Sequence, residues 1–251
     1  MIEESGTAGG GGLVDLHCHI LPGLDEGPSC SAEAVQMLRM AREDGTAGIV
    51  ATPHILDGVF NNTKRTIAQS VEELNALNTG IQVYMGAEVR ISRNLKERIS
   101  RDELPLLNNS NVLLLELPAY LLPPLPELEA IITDLRMSHI TPIIAHPERN
   151  IPILHDLSIM ARLIRCGAAF QVTAMSITGH SGRRTQKAAL DMIQEGYVHA
   201  VASDAHDATK RPPLLSRAYT VIANKFNADE AQRLFCGNPL KIISGSDLEF
   251  S

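Results

Sequence analysis

Nine side chains able to bind a metal ion are scattered from position 17 to position 206 of this 251-residue chain, and their settings suggest that they meet. His17 and His19 are two apart in an apolar run. In a strand such residues share a face, so both imidazoles point one way and Cys18 points the other. His54 follows Thr52-Pro53, Glu88 follows Gly86-Ala87, and Glu116 closes Leu113-Leu114-Leu115. His146 ends a fifth apolar run, and Asp204 and His206 end the last. Glu26 lies in the loop after the first run. Carboxylates gathered without compensation repel one another, and divalent cations relieve that repulsion. A catalytic ion takes about three protein ligands and keeps a position open, so this set suits two or three ions. Nitrogen and oxygen donors without thiolate favour manganese, iron or zinc over calcium or magnesium. Arg149 and Arg211 follow His146 and His206 closely. A guanidinium can grip two phosphate oxygens at once, so both are candidate phosphate ligands; the competing reading pairs them with Glu148 or Asp207.

The elements that must position these groups are short apolar runs alternating with amphipathic stretches. Strands are expected over residues 13–19, 48–52, 82–89, 111–117, 142–146, 168–173 and 198–203. Helices are expected over 31–43, 63–77, 127–137, 157–166, 185–195, 214–225 and 229–235. Several strands are apolar throughout, as when both faces are covered, and the alternation implies βαβ units with a parallel sheet. A doubly wound open sheet is the rival architecture. It places a glycine-rich phosphate loop after its first strand, whereas here the glycines precede that strand and His-Cys-His follows it. A (β/α) barrel instead gathers the carboxyl ends of its strands into one mouth, where every candidate ligand falls.

Each fragment has a plain structural reading: a lone His-x-His is weak, and a Glu ending an apolar strand is often a solvated strand end. The joint pattern carries the argument. His139 and His199 precede their strands, which puts them at the opposite rim in structural roles. His155 is expected at the surface. His180, in the turn after the sixth strand, is a candidate substrate contact.

Composition narrows the partners. Net charge is −7 and aromatics make up 4% with no Trp, which argues against a basic nucleic-acid footprint and against base-stacking platforms. The four cysteines form no C-x-x-C pair and read as reduced thiols, hence a cytoplasmic expectation. No apolar run approaches the ~20 residues of a membrane span. Residues 1–12 read as a flexible lead-in and 13–251 as one domain. None of the cysteines is followed six positions on by Arg, so cysteine-phosphatase chemistry is absent. Nucleotide P-loop and Gly-x-Ser-x-Gly signatures are absent as well.

The motifs Asp15-Leu16-His17-Cys18-His19, Thr52-Pro53-His54, Gly86-Ala87-Glu88, Ala145-His146-Pro147-Glu148-Arg149-Asn150 and Ala202-Ser203-Asp204-Ala205-His206 resemble those of the polymerase and histidinol phosphatase (PHP) superfamily. The stretch from His17 to Gly27 and the loop ending Arg211-Pro212-Pro213 resemble its bacterial capsular-polysaccharide branch of tyrosine-protein phosphatases. The resemblance implies a distorted seven-stranded TIM-like barrel and a manganese-type site held by His17, His19, Glu26, His54, Glu88, Glu116, His146, Asp204 and His206. It also implies a cytoplasmic phosphotyrosine substrate, the Tyr-rich tail of a bacterial tyrosine kinase of polysaccharide export. The branch usually reads Asp-Asp-Gly where this chain has Asp25-Glu26-Gly27, so Glu26 inherits the ligand role with a longer arm and Asp25 is its rival. The implied reaction is hydrolysis by a metal-activated water, with Arg149 and Arg211 on the phosphate and His206 or Asp204 as proton donor. A small phosphomonoester such as histidinol phosphate is the alternative substrate. A non-catalytic metal-binding module is the alternative outside enzymology.

Overall fold

The computed structural model describes residues 12–246, so most of the expected lead-in at residues 1–12 lies outside the described residues. Two sheets of mainly parallel strands carry the chain. The first has three parallel strands, in the order β1 (Leu13–Cys18), β2 (Thr46–Ala51) and β5 (Gln82–Met85). The second contains β3 (His54–Leu56), β4 (Phe60–Asn61), β6 (Glu88–Arg90), β7 (Val112–Glu116), β8 (Thr141–Ala145), β9 (Ala169–Thr173) and β10 (Ala200–Ala202). Its order is β10-β9-β8-β7-β6-β3-β4, parallel except for the short β3–β4 hairpin.

The single closed sheet expected from the sequence is therefore not what the strand pairing gives. The third expected strand is broken in two, the second is followed past its expected end by a further strand, and in each case the two pieces belong to different sheets. Pro53 separates β2 from β3, and Gly86-Ala87 separates β5 from β6. Proline has no N–H to offer a ladder, so pairing must lapse there. A side chain at Gly86 would come within 2.7 Å of Val50 Cγ1 and 2.8 Å of Leu107 Cδ2, so only glycine fits at the second bend. At the far edge the two sheets touch. His19 N donates to Ala205 O at 2.8 Å, Asp204 N donates to His17 O at 2.8 Å, and Cys18 bridges Ala205 in parallel sense.

Residues two apart on a strand share a face. Val112 with Leu114, Ile143 with Ala145, and Ala200 with Ala202 accordingly fall in one buried apolar cluster, together with Val14 and Leu16. The opposite faces, including Leu113, Leu115, Ile144, Phe170 and Val201, pack in a second cluster with the helices. The helix Ser31–Glu43 shows how the covering layer forms: its Ala34, Met37, Leu38 and Ala41 recur at helical spacing and are buried. Most expected helices are present with shifted ends. The stretch after Asp229 is instead the helix Ala228–Gln232, a π turn Arg233–Gly237 and the helix Asn238–Ser244. Short helices Leu95–Ser100, Ile151–His155 and Ala174–Ile177 were not expected.

Candidate metal centre

Strand ends and the loops after them bring all nine candidate ligands together. His17 Nε2 lies 3.1 Å from His19 Nε2, and Glu88 Oε2 and Asp204 Oδ1 each lie 3.4 Å from His17 Nε2. His54 Nδ1 is 3.0 Å from Glu88 Oε2 and 3.8 Å from Glu116 Oε2, and His146 Nε2 is 2.7 Å from Glu88 Oε1. Glu26 Oε1 sits 3.2 Å from His54 Nε2 and 3.7 Å from His206 Nε2. Three sets of donor atoms are close enough to share an ion: His17, His19 and Asp204; His19, His54 and His206; His54, Glu88 and Glu116. A cavity of about 220 Å³ opens on the cluster, lined by Glu26, Glu88, Glu116, His146, Arg149 and Arg211 among others.

Several inner contacts are unsatisfied as they stand. His54 Nδ1, Glu88 Oε2 and Glu116 Oε2 are buried and make no hydrogen bond, although Glu116 Oε2 lies in an ion pair with Arg90 and the other two atoms face each other. Buried polar atoms normally find partners, and leaving one without costs about 1–3 kcal/mol. Three such atoms converging on one point fit a shared cation, so the donor set suits divalent metal.

The outer contacts fix how the ligands point. His17 Nδ1 meets Gln171 Oε1 at 2.9 Å, and His19 Nδ1 meets Asp25 Oδ2 at 2.6 Å. Each acceptor holds a proton on Nδ1 and leaves Nε2 as the coordinating atom. Asp25 also accepts from Gly27 N and His54 N at 2.9 Å each, so both its oxygens are engaged. Between the two rival acids, Glu26 faces the cavity and Asp25 orients His19. The loop closes this tightly because position 27 is glycine: a Cβ there would lie 2.4 Å from His19 O. Sequence reasoning missed Gln171, since an amide carries no ligand signal.

Charge in the site runs strongly one way. Burial alone would raise Glu88, but the imidazoles of His17 and His146 outweigh it and hold this carboxyl well below its usual range. Burial is likewise outweighed at Asp204, chiefly by His17, a hydrogen bond from His19, and Arg149. Burial and the neighbouring Glu88 raise Glu116. Burial would lower His19, but Asp204, Asp25 and Glu88 drive it well up. The field that raises this imidazole is one that attracts cations. His206 is the exception: burial and the charge of His19 lower it to about 3, leaving a neutral ring.

Both candidate phosphate arginines reach the same acid. Arg149 Nη1 and Arg211 Nη2 donate to Asp204 Oδ2, at 2.5 and 2.7 Å. The competing reading, in which these arginines pair with Glu148 or Asp207, does not describe the hydrogen bonds of their guanidiniums. Glu148 is buried beneath the turn, and Asp207 instead accepts from the backbone N–H groups of Thr209, Lys210 and Arg211. Arg90, unremarked in the sequence, pairs with Glu116 at 3.0 Å. His180 is exposed and does not line the cavity, and His155 and His139 are exposed too. His199 is buried, with its Nδ1 accepting from Phe170 N at 3.3 Å.

Comparisons with known proteins agree with this geometry. The family model described as "Capsular polysaccharide synthesis, CpsB/CapC" matches residues 13–244. The putative tyrosine-protein phosphatase CapC of Staphylococcus aureus is 36% identical over 211 residues, covering 82% of each chain. The tyrosine-protein phosphatase YwqE of Bacillus subtilis is 32% identical over 221 residues, covering 86% of each. A chain from the crystal structures of YwqE and of Streptococcus pneumoniae CpsB, described as unique metal-dependent tyrosine phosphatases, superposes with a TM-score of 0.90. It is 30% identical, and the match covers 94% of this chain and 96% of that one. A phosphotriesterase homology protein from Escherichia coli shares the fold at a TM-score of 0.57 and 10% identity. On the strength of the family match and these relatives, the chain belongs to the CpsB/CapC family of capsular polysaccharide synthesis.

Proposed function

We propose that this protein is a metal-dependent phosphatase acting on phosphotyrosine in proteins. One observation carries the reading: a cavity where His, Asp and Glu ligands converge with three buried donor atoms that make no hydrogen bond and is flanked by Arg149 and Arg211. His17, His19, Glu26, His54, Glu88, Glu116, His146, Asp204 and His206 would hold two or three ions, with manganese the best fit and iron or zinc as alternatives. Divalent ions held there would supply Lewis acidity and a water nucleophilic at neutral pH. We take the two sheets to act as one distorted seven-membered (β/α) barrel spanning a single domain. The hydrogen bonds between residues 17–19 and 204–205 support that joining.

The side chains divide the work. Arg149 and Arg211 bind the non-bridging phosphate oxygens and orient the ester. Asp204 accepts from both guanidiniums through Oδ2 and turns Oδ1 towards His17 and His19. Asp204 is held as a carboxylate by His17, His19 and Arg149, and burial keeps His206 a neutral ring, which suits both to metal ligation. We place both as ligands rather than as proton donors. A phenolate, with a pKa of ~10, departs with less acid assistance than an alkoxide.

The rim favours an aromatic ester on a peptide over a small polar phosphomonoester. Tyr120 and Leu121 are 82% and 75% exposed in the loop whose Leu117 and Ala119 line the cavity. On the opposite loop, Val59 is 63% exposed and Phe60 stacks on His54 with ring centroids 5.6 Å apart. Exposed apolar residues grouped about a polar pocket commonly mark a binding surface. A tyrosine-rich kinase tail in the cytoplasm is the partner we favour. No described helix is long and apolar enough to cross a membrane.

EDTA should abolish hydrolysis of a phosphotyrosine peptide and manganese should restore it; full activity in chelator would rule out the metal. The phosphotyrosine peptide should also be turned over with far higher kcat/KM than histidinol phosphate. The reverse preference would replace the substrate while keeping the chemistry.

A further inference from the structure

Glu148 is a fully buried carboxylate that the chemistry above does not use. It lies between His146 and Arg149 in the turn Pro147–Arg149 that follows β8. Its side chain turns away from the cavity. Oε1 accepts from Thr173 N at 2.9 Å, Thr173 Oγ1 at 3.0 Å and Ser176 Oγ at 2.8 Å, while Oε2 has no hydrogen-bond partner. A buried carboxylate is costly to desolvate, and a glutamine could accept the same three bonds without a charge. The nearby positive group is Arg149 of the same turn. Arg149 Nη2 donates to Thr173 Oγ1 at 3.2 Å, the hydroxyl that itself donates to Glu148. Two consecutive residues therefore reach one hydroxyl from two sides, one as acceptor and one as donor. Burial would lower the Arg149 guanidinium, but Asp204 first and Glu148 next hold it charged.

We propose that Glu148 is a positioning residue that acts through the Thr173 hydroxyl to hold Arg149 against the phosphate. This rests on the reading of Arg149 as a phosphate-gripping group. Glu148 polarises the Thr173 hydroxyl, so the oxygen becomes a stronger acceptor for Nη2. The guanidinium is then fixed at two points, Thr173 and Asp204, with its remaining donors free for the anion. Asp204 alone would leave it free to pivot about a single bond.

The test measures inorganic phosphate binding to the manganese-loaded protein by calorimetry, with thermal melts as a control on folding. Thr173→Val and Glu148→Gln should each weaken phosphate binding roughly tenfold, the scale of a hydrogen bond to a charged group. Thr173→Ser, which keeps the hydroxyl, should bind like the wild type. On an Arg149→Met background, Thr173→Val and Glu148→Gln should change affinity by less than about twofold, since coupled residues are not additive. Losses that add in full on that background, or a Thr173→Val protein that binds phosphate normally, would overturn the proposal. If Glu148→Gln fails to fold, Glu148→Asp takes its place, and a folded Glu148 variant that binds phosphate like the wild type overturns the proposal as well. Because the probe is inorganic phosphate, inactivity of the wild type on phosphotyrosine would sink the substrate reading without touching this coupling.

Discussion

At the scale of single residues, the site depends on groups that never touch a metal. Asp25 and Gln171 each accept a hydrogen bond from the far side of an imidazole, so His19 and His17 present Nε2 to the cavity. Removing such an outer partner commonly weakens metal binding 10–100-fold. Asp25→Asn should therefore raise the manganese concentration needed for half-maximal activity by that factor, with activity recovered at saturating metal. An unchanged requirement would show that His19 is oriented by other means. The clustered groups were legible in the sequence because imidazoles and carboxylates at strand ends are conspicuous. Gln171 and Glu148 were not, since their meaning lies in which neighbour the fold sets opposite them. Glu148 was considered only as a direct pairing partner for Arg149, whereas it reaches the arginine through Thr173.

At the scale of elements, the parallel strands were readable from their unbroken apolar runs, and Pro53 was read as a strand end; the strand that resumes at His54 and the break at Gly86 were not foreseen. Across both breaks the second run stays paired with the third in one register; what changes is the outer neighbour, β1 giving way to β4 beside the second run and β7 joining beside the third, which depends on distant strands. The β9–β10 edge offers a test of its own. His199 N donates to Phe170 O at 2.8 Å, and the ring accepts from Phe170 N. Burial first, and the charge of Arg233 second, lower this imidazole to about 4. An unfolded histidine titrates near 6.5. Between those values the unfolded chain binds the extra proton, so the contribution is intact above pH ~6.5 and is lost as pH falls towards 4. The loss amounts to roughly 2–3 kcal/mol. His199→Gln keeps an acceptor but does not titrate. Its melting temperature should fall less steeply than that of the wild type between pH 6.5 and 4.5, and parallel curves would remove His199 from the account.

At the scale of the whole molecule, the centre joins parts of the chain that lie far apart in sequence. His17 and His19 come from one end of the sequence and Asp204 and His206 from near the other. Between them the two sheets meet through a bridge, two backbone hydrogen bonds, the hydrogen bonds of Ser203 to Asp15 and a shared apolar cluster. An ion shared by His17, His19 and Asp204 would span that seam, so metal should act on global stability as well as on catalysis. A ligand that binds only the folded state at 100 times its dissociation constant adds about 2.7 kcal/mol per site. For a chain of this length 1 kcal/mol moves the melting temperature by about 2–4 °C. Saturating manganese should thus raise it by at least ~5 °C over protein stripped with EDTA, and by more if two sites fill. Asp204→Asn should lose most of that increment, because it weakens a ligand at the seam while preserving its shape. Arg211→Met, which leaves the ligands intact, should keep the increment. A melting temperature indifferent to manganese in the wild type would mean that the clustered imidazoles and acids do not hold ions tightly enough to bind the two edges together.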